Sequence, residues 1–302
     1  MPSRRDRQPD PAEWLRAYAK VQTVADRQVI AALRRAYIDL ARQIRGLLGS
    51  TRLGDQVRLA QLLVVRRAML EELAKLYAEL GNVIAAQQFN AGAAAIEMGG
   101  KMNNVLFAAS PTPEIASALE AGLMNGLADS IDVMVTRMSH SRTTLARRIY
   151  NSELWARGQV ENLINSALAR GLSAREFAAE ARALFNPNTP GGVRFASMRL
   201  ARTEINNAFH ATTVLRVADA PWVTAVQWHL SRSHPKADDC DTFATQDAFG
   251  LGSGKYPPRD TPRKPHPQCF CCITPTTVDE DVFLDNLVKG NYDSYITRTT
   301  GV

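Results

Sequence analysis

No cysteine occurs in the first 239 residues of this 302-residue chain. All four cysteines, and three of the five histidines, fall between Trp222 and Ile273. A small apolar residue used evenly would be scattered through the core, so this confinement gives the cysteines a local job. They either hold a compact, loop-rich module together or do chemistry. Lysine is also scarce, at seven of the 36 basic residues. The net charge of +6 is therefore carried by arginine, whose fixed fork of donors suits phosphate and carboxylate. A surplus of that size fits an ordinary solvated surface as well as an anionic partner. No run of 18 apolar residues is present, so no membrane span is expected. The opening Met1-Pro-Ser-Arg-Arg-Asp-Arg is not followed by an apolar stretch, so no secretory leader is expected either. A cytoplasmic, reducing setting follows, in which structural disulfides are not expected and clustered Cys and His are better read as metal ligands. Hydrophobic content of 45% and charged content of 22% exclude wholesale disorder, and the length allows two domains.

Residues 1–221 read as helix almost throughout. Asp10 and Pro11 open the first one and Gly49 closes it. Between them Trp14, Tyr18, Val21, Ala25, Val29, Leu33, Tyr37, Leu40 and Ile44 form one apolar stripe at steps of three and four. A second helix is expected from Gln56 to about Leu80, broken at Gly81-Asn82. The weakly patterned stretch beyond carries Gly92, Gly99 and Gly100. Ser110-Pro-Thr-Pro-Glu114 opens a helix to about Met138, and another runs from Ser141 to Arg170. Gly171 is placed as a left-handed C-terminal cap, Ser173 as the next N-cap and Glu176 as its capping-box partner. These signals predict a tight helical hairpin with Leu163, Ile164, Leu168, Phe177, Ala181 and Leu184 in contact. A DNA-reading helix-turn-helix is the alternative, against which stands the balanced charge of Arg175, Glu176, Glu180 and Arg182. Asn186 to Gly192 is a linker, and Met198, Ala201, Ile205, Ala208, Thr212 and Leu215 mark one more amphipathic helix. Trp222 to Leu230 reads as a strand, with Phe270 to Thr276 as its partner. Residues 250–267 read as loop, and the acidic-starting tail as one short helix. The expected class is mostly α, with long N-terminal helices and helical hairpins followed by a small α+β Cys/His module. The expected divisions are a long-helix region (1–110), a helical domain (111–221), the Cys/His module (222–278) and a tail (279–302).

Zinc takes about four soft or borderline ligands in a tetrahedron. Cys269 and Cys271 lie two apart and share a face if extended, and Cys240 with His234 or His266 can complete a set. Two other readings stay open: reduced cysteines packed around a turn, or a disulfide from Cys240 to Cys269 or Cys271. Cys272 is expected on the opposite face. His234 with Asp238, Asp239 and Asp241 reads either as a catalytic set or as a polar turn capped by its own carboxylates. No nucleophile stands in a recognised elbow or triad, so no catalytic residue is assigned.

Three pieces, in order, resemble the Mu F-like minor head, or head morphogenesis, proteins of tailed bacteriophages. They are the hairpin with its Gly171-Leu-Ser173 turn, the helix Leu200-Ala-Arg202-Thr-Glu204-Ile205, and a terminal cassette. The cassette runs Trp228, His234, Asp239-Cys240-Asp241, Gly250-Leu-Gly252, Tyr256-Pro257, and His266-Pro-Gln-Cys269-Phe-Cys271. Many members carry a second Cys where Phe243 stands and Arg where Phe270 stands, and Cys272 is an extra. Without that thiol, a bound zinc needs a His ligand. The resemblance implies a structural role, with Arg202, Glu204, Trp228 and Asp241 as framework residues. It implies portal and capsid proteins as partners, non-specific contact with double-stranded DNA, self-association, and a place in the virion after assembly in the host cytoplasm. An enzyme carried in the virion is the competing class, either metal-dependent or ADP-ribosyltransferase-like. Arg202-Thr203-Glu204 invites the second, but the Glu-x-Glu pair of such transferases is absent. Glu204 is expected to anchor the cassette or to sit paired beside the apolar stripe.

Overall fold

The computed structural model describes residues 11–48, 59–119, 145–186, 192–231, 234 and 237–300. These are mostly helical, with one small sheet near the carboxyl end. The helices are α1 (Pro11–Leu48), α2 (Leu59–Phe107), α3 (Leu145–Arg170), α4 (Ala174–Phe185) and α5 (Val193–Ala218). Then come β1 (Val223–His229), α6 (Asp239–Thr245), β2 (Lys255–Tyr256), β3 (Cys272–Thr277), α7 (Glu280–Val288) and α8 (Asp293–Thr300). The helix opened by Ser110–Glu114 is present over residues 113–119, whereas its course to about Met138, the caps expected at Asp10 and Gly49, the next helix's start at Ser141 and most of the 186–192 linker lie outside the described residues.

Chain contacts fall into two compact units, each discontinuous in sequence. Boundaries at 110, 221 and 278 therefore do not coincide with theirs. One unit gathers the described residues of 23–86 and 140–204, and the other those of 1–22, 87–139 and 205–302.

The first of these is all helix. The α1 stripe is real: Ala25, Val29, Leu33, Leu40 and Ile44 are buried. Helix α2 does not break at Gly81-Asn82, as its glycines suggested. A Cβ on Gly81 would lie 3.3 Å from Ile149 of α3, so the glycine marks a close approach of two helices. Its propensity cost of about 1 kcal/mol is outweighed by packing along a 49-residue helix. The hairpin forms as read. Gly171 has φ 60°, its amide donates to Leu168 O, and Leu172 N donates to Ala167 O at 3.1 Å. Ser173 and Glu176 exchange the reciprocal bonds of a capping box at 3.3 and 2.9 Å. Ile164, Phe177 and Ala181 are buried, but Leu168 is exposed and Leu172 fills the core in its place.

The two charged residues of the Arg-Thr-Glu helix are tied within this unit. Arg202 grips Asp26 of α1 with Nε at 3.0 Å and Nη2 at 2.6 Å. Glu204 is 1% exposed and meets Arg148 of α3, Nη2 to Oε2 at 2.7 Å. The anchoring of the terminal cassette expected of Glu204 is not what these contacts provide: its guanidinium partner stands on α3, 56 residues earlier. Burial raises the Glu204 carboxyl, against the opposing pull of Arg148.

The second unit holds the sheet, ordered β2-β1-β3 and antiparallel throughout. Val226 faces Tyr256 on one side and Pro275 on the other, and His229 faces Cys272. The β1–β3 pair matches the sequence reading. The two-residue β2 emerged from a stretch read as loop. Trp222 is fully buried, with Tyr295 at 4.9 Å, Phe107 at 5.2 Å, Tyr292 at 5.8 Å and Phe283 at 5.9 Å, each nearly edge-on. Its Nε1 donates to Asn103 Oδ1 at 2.7 Å. The tail is thus two helices, α7 and α8, whose aromatic residues complete the core around Trp222. One short helix was expected.

Removing the arginine from the Arg148–Glu204 pair strands a buried carboxylate. Arg148→Met should therefore destabilise the protein by about 3 kcal/mol. In urea unfolding the double variant with Glu204→Gln should recover part of that loss. Equal midpoints for wild type and Arg148→Met would remove the pair from the stability of this unit.

Candidate metal centre

The cassette residues converge in the sheet-containing unit. A strand, a short helix and a looped return each bring one part. Strand β1 delivers Trp228, which is 1% exposed and stacks edge-on with Phe243 at 5.2 Å and His210 at 5.8 Å. Helix α6 delivers Cys240 in its first turn. Asp238 is the N-cap: its Oδ1 accepts from Cys240 N at 2.7 Å, while Asp241 Oδ2 accepts from Asp238 N at 2.7 Å. This reciprocal cap fixes where the buried Cys240 side chain projects. The carboxylates at 238 and 241 therefore cap the turn, as one of the two sequence readings had it. The return from Pro262 to Cys271 delivers His266, Cys269 and Cys271. Gln268 turns it with φ 58°, a left-handed conformation that costs an L residue about 1–2 kcal/mol.

Glycine is required at one point of this framework. Gly254 has φ 67°, and a Cβ there would lie 2.5 Å from Ala244 O. Its own carbonyl accepts from Trp228 N at 2.8 Å, locking the loop after α6 to β1.

Cys240 Sγ lies 3.5 Å from Cys269 Sγ and 3.6 Å from His266 Nε2. These three ligand atoms all lie within 4.8 Å of one another, and together they can hold a metal ion. Zn–S bonds of about 2.3 Å and Zn–N bonds of about 2.0–2.1 Å give tetrahedral edges of about 3.8 Å between sulfurs and about 3.6 Å between sulfur and nitrogen. The Cys240–Cys269 and Cys240–His266 separations are close to those edges. Cys271 stands just outside this group. It accepts from Ser231 N at 3.4 Å and lies 3.9 Å from His234 Nδ1. All four cysteines are free thiols, which corrects the disulfide alternative. His234 belongs to a second group with Asp238 and Asp241.

Both imidazoles are oriented by a second partner. His266 Nδ1 lies 3.0 Å from the Pro267 carbonyl, and its Nε2 stands 3.6 Å from Cys240 Sγ and 3.0 Å from Asp238 Oδ2. His234 Nε2 lies 2.9 Å from Asp241 Oδ2, which leaves Nδ1 turned toward Cys271. That bond to Asp241 raises the His234 pKa, and Asp241 is held low by the Asp238 amide and by His234. Asp238 reaches both rings, with Oδ2 at 3.0 Å from His266 Nε2 and Oδ1 at 3.7 Å from His234 Nε2. Burial pushes the Cys240 thiol up to about 12 and that of Cys272 up to about 12, whereas the hydrogen bond with Cys271 lowers Cys269. Metal binding at such thiols must displace protons.

Residues that sequence reasoning passed over hold the return in place. Asn206 of α5 donates to Cys269 O at 2.6 Å and accepts from Gln22 of α1 at 2.6 Å. His210 of α5 bonds Pro262 O at 2.9 Å through Nε2. Lys264 donates to the carbonyls of Cys269 and Cys271. A signal for Asn206 and His210 was available: they lie four apart on one side of a helix whose apolar stripe runs beside them.

Among the described residues, no helix is long and apolar enough to cross a membrane. No family model matches the chain, and neither curated proteins nor solved structures give a match.

His210 makes this packing sensitive to acid. Burial, with Lys264 nearby, lowers its pKa from 6.5 to about 3. The unfolded chain takes up a proton as pH falls through about 6.5, while the folded imidazole stays neutral until about 3. Stability contributed here is present above the unfolded value and is lost on acidification within that window, by up to about 1.4 kcal/mol per pH unit. His210→Gln should show a shallower fall in urea midpoint between those limits than wild type. Parallel pH profiles would sink this account.

Proposed function

We propose that the chain is a structural minor head protein of a tailed bacteriophage, whose Cys/His module is a structural zinc clamp. The observation that carries the reading is the meeting of Cys240, Cys269 and His266, from separate parts of the ordered cassette, at the edge lengths of a zinc tetrahedron. Burial supports a clamp: Cys240, Cys269 and Cys271 are at most 2% exposed. A structural site is closed by its protein ligands, whereas a catalytic one keeps a position open to water. The ion would fix the return from Pro262 to Cys271 against α6 and β1, where few apolar side chains are available to do so. Arg202 and Glu204, locked to Asp26 and Arg148, then serve as framework, which argues against the transferase alternative. His234 with Asp241 resembles a carboxylate-oriented base beside a metal, and it is the one feature that favours a hydrolase. Metal-dependent hydrolysis by the zinc-loaded protein would replace the clamp reading.

In this role the protein sits with portal and capsid proteins and touches packaged DNA without reading its sequence. Arg27, Arg34 and Arg45 support that contact. They are exposed, lie 7 and 11 residues apart on one side of α1, and enter no ion pair among the described residues.

Purified protein should contain about one zinc per chain and should co-purify with assembled portal rings. Duplex DNA binding should weaken steeply with salt, and Arg27→Ala with Arg34→Ala and Arg45→Ala should reduce the log–log slope by about 2–3. Failure to associate with portal or virions would overturn the head-protein assignment. A slope unchanged by the triple substitution would remove this face from DNA contact.

A further inference from the structure

We infer that the outward side of α3 is a self-complementary contact, by which two copies of the chain pair antiparallel with Gly158 at the two-fold axis. Neither the metal centre nor a portal partner enters this contact. One side of α3 is buried through Ala156, Val160, Ile164 and Ala167. The opposite side carries Tyr150, Leu154, Trp155 and Leu168, each between 40% and 54% exposed. Exposed apolar groups of that size, grouped on one helix side, mark a contact surface. The midline of this side runs through Asn151, Leu154, Gly158, Asn162, Asn165 and Ala169 without a charge. Charges at its margin are already matched. Glu153 meets Arg157 at 2.7 Å, and Glu161 accepts from Arg66 Nε at 2.8 Å. A side with so little free charge offers nothing to phosphate, so DNA is not its occupant.

Gly158 stands at the centre of that side. Glycine weakens a helix interior relative to alanine, and a Cβ here would meet no neighbouring atom within 4 Å. No packing within the chain calls for it, in contrast to Gly81, whereas a second helix could approach closely at this point. The residues around it are laid out symmetrically. Asn151 and Asn165 lie seven positions to either side, Leu154 and Asn162 four, and Arg147 and Ala169 eleven. In an antiparallel pair, positions equally far from the axis on opposite sides meet. Leu154 and Trp155 of one copy then pack on Asn165 and Asn162 of the other, and Tyr150 comes level with Leu168. Large groups against small ones give the interdigitation that close helix packing needs. Asn151 meets Asn165, and each amide can both donate and accept. Arg147 comes to lie over the last turn of the second α3, at the negative end of its dipole. Arg170, which belongs to that turn, is engaged with Glu180 at 2.9 Å. A parallel pair would set Trp155 on Trp155 and Arg147 on Arg147 and would align the two dipoles. Shape and charge therefore select a second copy as occupant, in one orientation.

The test is sedimentation equilibrium of the full chain, which should give the mass of two chains at about 50 μM. Leu154→Lys combined with Trp155→Lys should weaken pairing at least about a hundredfold. Gly158→Leu should weaken it at least about tenfold by filling the axis, while its urea midpoint under monomeric conditions should equal or exceed that of wild type, because leucine favours a helix and has open space there. Orientation is read from spin labels on Arg170→Cys, a position off the contact side; the native cysteines are at most 3% exposed. Antiparallel pairing sets the two labels about 36 Å apart along the helices. A monomeric wild type at that concentration overturns the inference. A dimer that survives the double lysine variant overturns it too, since the contact then lies elsewhere. Unchanged pairing in Gly158→Leu removes the axis from that residue, and a lowered urea midpoint removes the open space that its role requires. Labels closer than about 20 Å would mean parallel helices and would overturn the orientation.

Discussion

A chain segment with no helix or strand of its own must find partners for its carbonyl groups elsewhere, and everything at the candidate metal centre depends on how the return from Pro262 to Cys271 does so. Side chains rather than a backbone ladder supply the donors. Asn206 and Lys264 serve Cys269 O, Lys264 serves Cys271 O, and His210 serves Pro262 O. Each unsatisfied buried carbonyl would cost about 1–3 kcal/mol, so the return has one position in which all three are met. That position sets Cys269 against Cys240. The geometry of the sulfurs is thus inherited from polar side chains on α5 and on the return itself.

Those polar side chains lie in an apolar setting, and each is there with a partner. Gln22 occupies the α1 stripe between Tyr18 and Ala25, where an apolar residue would satisfy periodicity equally well. It donates to Asn206 and so fixes which way that amide faces, leaving the Asn206 nitrogen for Cys269 O. A relay of two amides of this kind has a single sense, because reversing either one would set donor against donor or acceptor against acceptor. The consequence is registry. Apolar packing alone tolerates sliding of one helix along another, whereas the Gln22–Asn206–Cys269 chain admits one alignment of α1, α5 and the return.

What the sequence made legible were the features governed by neighbours a few residues away. The α1 stripe, the Gly171 cap, the Ser173–Glu176 box and the β1–β3 strands all answer to local periodicity or capping chemistry, and all stand in the structure. The lopsided placement of Cys and His correctly located the cluster. What stayed hidden depends on residues far apart in the chain. Gly81 looked like a break because nothing near it in sequence announces Ile149. Glu204 had no visible partner because Arg148 lies on another helix. The tail seemed separate because Phe283, Tyr292 and Tyr295 have no strong pattern of their own until Trp222 gives them a common target.

The contrast between the two His-containing groups argues for a division of labour. His266 has its Nδ1 beside a neutral carbonyl and its Nε2 beside the buried Cys240 sulfur and Asp238 Oδ2. His234 has its Nε2 held by a carboxylate that is itself engaged in capping α6. A carboxylate makes imidazole more basic, but Asp241 already accepts from the Asp238 amide, so any movement of His234 away from it disturbs the turn that positions Cys240. The second group is therefore mechanically coupled to the first. Its acidic residues orient the helix that carries Cys240, a candidate ligand, and this accounts for their spacing around it without assigning them a reaction.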